Sequence, residues 1–291
     1  AGNKNTFARN AKIIHVDIDT ASISRNVAVD VPIVGDAAIA LKSLNERLKP
    51  LSLKKWIDRL NELKSAYPIK ISSDKLNPQS VIEKLNTLFD ELIVTTDVGQ
   101  NQLWTTQFLR LNEKRRLITS GGLGTMGFGL PAAIGAKLGN PRTPVVAVVG
   151  DGGFQMNIQE LATAVINNLP VIICLFNNNW LGNVRQWQEL YYERRYQSTC
   201  LKRRNTCPKH CNGNIGNCPV YVPDFAKLAD SYCIGYKRIE QVNQIDEAFE
   251  FALNNTSAPT LLEFMIEEEE NVYPIVLPGK DLSTVKFGKE S

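Results

Sequence analysis

Residues 143–149 (TPVVAVV) run almost without polar interruption into Gly150-Asp151-Gly152-Gly153. A largely β-branched run of this length suits a strand covered on both faces. The glycines that follow permit a tight passage into a helix. The next strand-like run, Val171–Phe176, leads into Asn177-Asn178-Asn179. The step from Asp151 to Asn178 (178 − 151 = 27 residues) fits one βαβ unit. Both side chains are therefore expected at the carboxyl edge of adjacent parallel strands, where open α/β sheets bind ligands. A carboxylate and an amide oxygen converging there are hard ligands suited to Mg²⁺, which shares its shell with phosphate oxygens. The glycines would let the backbone approach a diphosphate, and the following helix offers N–H groups at its positive end. The bland alternative is a turn whose glycines serve backbone conformation only. Strand context, spacing and the Asn run together speak against it.

The rest of the chain supports this frame. Lys12–Ile18 and Val29–Val34 read as short strands, and Ala37–Leu48 and Ser52–Tyr67 as amphipathic helices. Polar, turn-rich 68–78 marks a domain boundary. From Gln79 onward helices and strands alternate: helix 81–89, strand 91–96, helix 99–109, strand 116–119, and a Gly-rich stretch 120–129 opening a helix. Beyond the Asn run come helices 183–192 and 225–232, strand 236–239, helix 245–253 and strand 260–266. The fold class expected is α/β, a parallel sheet with helices on both faces, preceded by the end of a second open α/β domain. Residues 1–50 are read as that remnant, 51–78 as helix and linker, 79–270 as the diphosphate-binding domain with an insertion at 198–220, and 271–291 as a tail. A formal charge of +3 is too small to imply nucleic acid. The longest apolar runs hold about seven residues, far below the roughly 20 of a spanning helix, so no membrane partner is expected. Ala1–Asn10 has no signal-peptide core. The chain opens without Met and mid-domain, so an excised or incomplete chain is expected.

The Asp151–Asn178 pattern resembles the thiamine-diphosphate binding motif. Longer stretches sharpen the likeness to the acetolactate (acetohydroxyacid) synthase large-subunit family: TDVGQNQLW at 96–104, SGGLGTMGFGLPAAIGA at 120–136, GDGGFQMN at 150–157 and NNNWLGNVRQWQ at 177–188. HVDID at 15–19, PIVGD at 32–36 and ENVYPIVLPGK at 270–280 extend it over nearly the whole chain except about 198–220.

The resemblance implies a set of roles. Asp151, the Asn178 side chain and the Trp180 carbonyl would hold Mg²⁺. Gln100, Asn101, Gly152, Gly153 and the backbone of Asn179, Trp180, Leu181, Gly182 and Asn183 would meet the diphosphate. Gly124, Thr125 and Met126 would line the aminopyrimidine, with Met126 wedged between the cofactor rings. Asp17, Ile18, Asp36 and Ala37 align with FAD-binding positions, and Trp187 with the tryptophan over the second-substrate pocket. The implied activity is a transferase joining pyruvate to pyruvate or 2-oxobutyrate with loss of CO₂, in branched-chain amino-acid biosynthesis. A homodimer or homotetramer, a small regulatory subunit, and a bacterial cytoplasm or plastid stroma belong to the same implication. Another thiamine-diphosphate decarboxylase or carboligase, such as a glyoxylate carboligase, is the enzyme alternative. A non-catalytic diphosphate-binding half that needs a partner chain is the alternative from another class.

Departures from the family pattern qualify these roles. Asn101 stands where His is usual and Asn183 where Met is usual, which puts a polar amide beside the substrate pocket. The glutamate that activates the cofactor is expected on a domain upstream, and no residue here is assigned that role. Cys200, Cys207, Cys211 and Cys218, with His210 among them, fall in the 198–220 insertion. Only the 207/211 pair has zinc-like spacing. A solvated basic loop over the mouth of the site, carrying incidental thiols, is therefore expected, with a zinc or iron–sulfur site as the alternative. Cys174, inside an apolar run, reads as a buried hydrophobe.

Overall fold

The computed structural model describes residues 2–69, 75–208, 211 and 218–288. The chain forms two compact units, Ala1–Lys70 with Tyr273–Ser291, and Ile71–Val272.

In the first unit β1 (Ile14–Asp17) and β2 (Val31–Val34) pair in parallel, with Asp17 opposite Val34. Helix α1 (Ala37–Asn45) begins at Asp36, whose Oδ1 accepts the N–H groups of Ala38 at 2.9 Å and Ile39 at 3.1 Å. That satisfies two of the donors every helix start leaves open. The amphipathic pattern of 52–67 becomes α2 (Lys54–Ala66). No residue of α1 or α2 is buried.

The second unit begins with α3 (Pro78–Leu88), β3 (Leu92–Thr96), α4 (Gln100–Phe108), β4 (Arg115–Thr119), α5 (Gly129–Gly139) and β5 (Val145–Gly150). There follow α6 (Asp151–Phe154), α7 (Glu160–Ile166), β6 (Ile172–Asn177), α8 (Gly182–Tyr191), α9 (Phe225–Ser231), β7 (Gly235–Ile239), α10 (Ile245–Asn254) and β8 (Thr260–Met265). The six strands β3–β8 make one wholly parallel sheet in the order β4-β3-β5-β6-β8-β7. Alternation along each strand feeds two cores. Val146 and Val148 join α3, α4 and α10 on one face, and Val145, Ala147 and Val149 join α5, α7 and α9 on the other. The first five residues of β5 are all buried, as its apolar run requires. The fold class expected from the sequence is the one observed, with most element ends shifted by one to three residues. Cys174 lies fully buried in β6. Among the described residues no helix is long and apolar enough to cross a membrane.

Residues 273–288 return to the first unit, where β9 (Ile275–Val276) pairs antiparallel with β10 (Val285–Lys286). The Lys280 carbonyl accepts the Asn3 N–H at 2.9 Å.

Candidate functional site

Strands β5 and β6 run side by side with Gly150 opposite Phe176. Asp151 and Asn178 each follow the last residue of a strand, so both emerge at the same carboxyl edge. With the start of α4 they border a cavity of about 100 Å³. Gln100, Asn101, Met126, Asp151, Gly152, Gly153, Asn178, Trp180, Leu181, Gly182 and Asn183 line it. Four positions predicted from the sequence stand apart from the lining. Gly124 and Thr125 are exposed on the Gly-rich loop. Asn179 turns its amide to Glu268 (Nδ2 to Oε1, 3.1 Å), and Trp187 stacks on Tyr191 with ring centres 5.4 Å apart. Asp17, Ile18, Asp36 and Ala37 belong to the first unit, at the carboxyl edge of β1 and β2. There Asp36 caps α1, and Asp17 Oδ1 accepts the Asp19 N–H at 2.8 Å while Oδ2 lies 3.7 Å from His15 Nε2.

Asp151 dominates the electrostatics of the cavity. Its Oδ1 accepts the Gly152 N–H at 3.0 Å. Its Oδ2 is buried with no hydrogen-bond partner. Burial pushes the carboxyl pKa up to about 8, and the nearby Glu263 charge adds to the rise. An orphaned buried carboxylate oxygen is costly, and a cation placed against it removes the cost. Among the described residues, Asp151 is the only acid lining the cavity. Asn178 is held between two neighbours: Nδ2 donates to Gln100 Oε1 at 3.3 Å, and Oδ1 accepts the Trp180 N–H at 3.1 Å. Asn101 Nδ2 donates to the Val148 carbonyl at 3.0 Å, so one of its two amide hydrogens is already engaged.

Two glycines are required by close approach. A Cβ on Gly153 would lie 2.2 Å from Asp97 Oδ1, and one on Gly182 would lie 2.1 Å from Gln100 Oε1. Both glycines also line the cavity, where backbone without a side chain suits contact with a phosphate.

Several residues that build the site had no assigned role in the sequence reading. Asp97, buried at the end of β3, accepts the Gly127 N–H on both oxygens (3.0 and 2.9 Å), the Gly129 N–H at 3.2 Å and the Val98 N–H at 2.8 Å. It shapes the Gly-rich loop. Gln186 Oε1 accepts Gln100 Nε2 at 2.9 Å, and the Glu270 carbonyl accepts the same Nε2 at 2.9 Å. Glu263, 3% exposed on β8, accepts Asn177 Nδ2 at 2.6 Å and the Tyr236 hydroxyl at 2.5 Å. Asn177 Oδ1 in turn accepts the Asn179 N–H at 3.1 Å and fixes that residue's left-handed turn (φ 62°). Arg185 of α8 is fully buried. It donates to Glu189 Oε2 at 2.8 Å, Asn271 Oδ1 at 2.5 Å and the Glu270 carbonyl at 3.3 Å. The only signal that could have exposed these residues was polarity inside apolar segments, as in TLLEFM at 260–265.

The insertion starts as part of the site's flank. Leu181 N donates to the Thr199 carbonyl at 2.8 Å and Leu201 N to the Asn179 carbonyl at 2.9 Å, with Trp180 opposite Cys200. Leu201 would stand 3.5 Å from a Cβ on Gly152. The start of the insertion is thus anchored to 179–181 by a short antiparallel ladder. His210 lies outside the described residues.

Comparison with known proteins gives this geometry a context. The family model for the C-terminal TPP binding domain of thiamine pyrophosphate enzymes matches residues 97–264, and that for their central domain matches residues 1–44. The chain is 42% identical, over 98% of its length, to a probable acetolactate synthase large subunit of Methanococcus aeolicus. It is 41% identical over 98% to that of Methanocaldococcus jannaschii, and 38% over 98% to the acetolactate synthase large subunit of Corynebacterium glutamicum. These alignments cover 47%, 47% and 45% of the relatives, so the chain spans about half the length of the curated relatives it matches. A buried acid and an amide at the edge of a parallel sheet, in a glycine cradle inside the matched 97–264, place this chain in the thiamine pyrophosphate enzyme family.

Proposed function

We propose that this chain is the cofactor-binding half of an acetolactate synthase catalytic subunit. The observation that carries the proposal is the buried, unpartnered Oδ2 of Asp151, facing a glycine cradle between β5 and β6. That oxygen fits Mg²⁺, with Asn178 and the Trp180 carbonyl as further ligands. Gln100, Asn101, Gly152, Gly153 and the 179–183 backbone are the groups offered to a diphosphate. Met126, the one of its trio that lines the cavity, is the packing surface for the cofactor rings, with Gly124 and Thr125 beside it. Thiamine diphosphate, when bound, supplies the nucleophilic carbon that decarboxylation and ligation of 2-oxoacids require. The protein's part is to hold the ion, orient the rings and keep water from the reacting end.

The names of the relatives support pyruvate, with pyruvate or 2-oxobutyrate as second substrate, and a place in branched-chain amino-acid synthesis. Trp187 and Asn183 are proposed to shape the second-substrate pocket, with Asn183 on the cavity wall. The carboxyl edge of β1 and β2, bearing Asp17, Ile18, Asp36 and Ala37, is proposed for FAD. Asp36 meets that role with one carboxylate oxygen, since the other caps α1. A homodimer or homotetramer, with a small regulatory subunit, in bacterial cytoplasm or plastid stroma, completes the proposal.

The test is calorimetric titration of thiamine diphosphate in the presence of Mg²⁺. The chain should bind and Asp151→Ala should not. Equal affinity in the two proteins would overturn the assignment.

A further inference from the structure

The four cysteines of the insertion are separated by six, three and six residues, a spacing that by itself favours a plain loop. The fold brings them together nonetheless. Cys200, Cys207, Cys211 and Cys218 all line one narrow space of about 10 Å³, with Lys202 and Arg203 beside them. No carboxylate and no described histidine lines that space. A donor set made only of sulfur selects soft ions over Mg²⁺ or Ca²⁺.

Burial raises the Cys200 thiol above its ordinary pKa, and the backbone donor and cation of Lys202 oppose that rise. Cys207 Sγ accepts the Arg204 N–H at 3.4 Å, and Cys200 accepts the Lys202 N–H. Backbone donors of this kind orient and stabilise metal-bound sulfur. Four thiolates around a divalent ion leave a net charge of −2, and Lys202, Arg203 and Arg204 supply cations close by. Arg204 also braces the two ends of the segment, donating to the Lys202 carbonyl at 3.1 Å and the Val220 carbonyl at 2.9 Å. Among the described residues no three His, Cys, Asp or Glu side chains already close on one point. The four cysteines ring a shared space, and binding requires the sulfurs to draw inward toward about 2.3 Å from the ion.

We infer that Cys200, Cys207, Cys211 and Cys218 form a tetrathiolate zinc site that fixes the start of the insertion against the cofactor loop. On binding, the four S–H groups release their protons to solvent and four Zn–S bonds form, with no change in oxidation state. The consequence for the rest of the molecule runs through Cys200. Its neighbours Thr199 and Leu201 are hydrogen-bonded to Leu181 and Asn179, which flank Trp180 on the cavity wall. Glu268 ties the same parts together by accepting from Asn179 Nδ2, Trp180 Nε1 and Lys202 Nζ. The bound ion therefore acts as a rivet on the side of the cofactor site, whatever reaction that site serves.

The experiment uses the whole chain, purified under reducing conditions without oxygen, and reconstituted with Zn²⁺ followed by gel filtration. About one tightly held zinc per chain is expected by elemental analysis, falling at least tenfold in Cys207→Ser/Cys211→Ser. It should be unchanged in Cys233→Ser, a cysteine that does not line the cavity. Co²⁺ in place of zinc should give intense sulfur-to-metal charge-transfer absorption that zinc bleaches. Hydrogen exchange at the Leu181 and Leu201 amides should speed up about tenfold when a chelator strips the ion. Absence of zinc after reconstitution, zinc retained by the double variant, or iron in its place would overturn the site. Unchanged exchange on stripping would overturn the rivet.

Discussion

Replacing Asp151 with asparagine should make the cofactor-free protein more stable while destroying its cofactor site. The carboxyl is fully enclosed, and burial lifts its pKa from 3.8 to about 8. Between those two values the folded chain keeps a proton that the unfolded chain has released, so stability contributed by this group falls as pH rises from about 4 to about 8. At pH 7.5 the interval above 3.8 is 3.7 pH units, and at 1.36 kcal/mol per unit that costs the folded state up to about 5 kcal/mol. Asparagine cannot ionise, so the variant loses this slope. The assay is urea unfolding from pH 4.5 to 8.5 without Mg²⁺ or cofactor, followed by tryptophan fluorescence. Three of the four tryptophans, Trp104, Trp180 and Trp187, report on the unit that holds Asp151. Wild type and Asp151→Asn should coincide near pH 4.5 and separate by about 2–5 kcal/mol near pH 7.5, with the variant more stable. Saturating Mg²⁺ and thiamine diphosphate should reverse the order, because only wild type gains ligand stabilisation. Parallel pH slopes in the two proteins, or a variant less stable at pH 8 without ligand, would refute the reasoning.

Arg185→Ala should destabilise the second unit by about 3 kcal/mol in the same assay, because it removes the nearer cation of the largely buried Glu189, which keeps only the more distant Arg194 at 3.9 Å. Gly153→Ala should cost about 1–3 kcal/mol and weaken thiamine diphosphate binding in calorimetry, since the new methyl group would collide with Asp97, itself pinned by backbone donors. The 291 residues alone should form no measurable acetolactate from pyruvate in a coupled assay. Asp151, the only acid on the cavity wall among the described residues, is proposed to be occupied by the metal, which leaves no carboxylate there to act as a general base. Robust turnover by this chain would show that another of its residues supplies the base.

The parallel sheet was legible because its four inner strands, β3, β5, β6 and β8, are buried almost throughout and largely apolar. Nothing but a doubly covered strand accommodates 145–149, and the 27-residue step then places Asp151 and Asn178 on one edge. The glycines around Asp151 were equally readable, since few other residues permit that turn. Asp97 was not. A lone acid after a strand looks the same whether it faces water or, as here, gathers the N–H groups of Gly127 and Gly129. Glu263 was hidden for a related reason, because its partner Asn177 lies 86 positions away along the chain. The spacing of the insertion's cysteines describes the chain contour and not the ladder with 179–181 that folds its start back. The tail 273–288 carries two-residue strands, too short for any periodicity to register.

The side chains that grip residues 270–272 set a practical limit on dissecting the molecule. By its strands the second unit looks finished at Met265. A shortened form ending there would nonetheless remove the backbone carbonyls of Glu270 and Val272 and the Asn271 amide, which satisfy Gln100, Gln186 and Arg185. Those three polar side chains, two of them on the helix that opens at Gly182, would be left competing for each other in a dry interior. Anyone excising this unit for crystallography or fusion should cut after Val272, because the six residues before it act as a molecular bolt on the helix behind the cofactor loop.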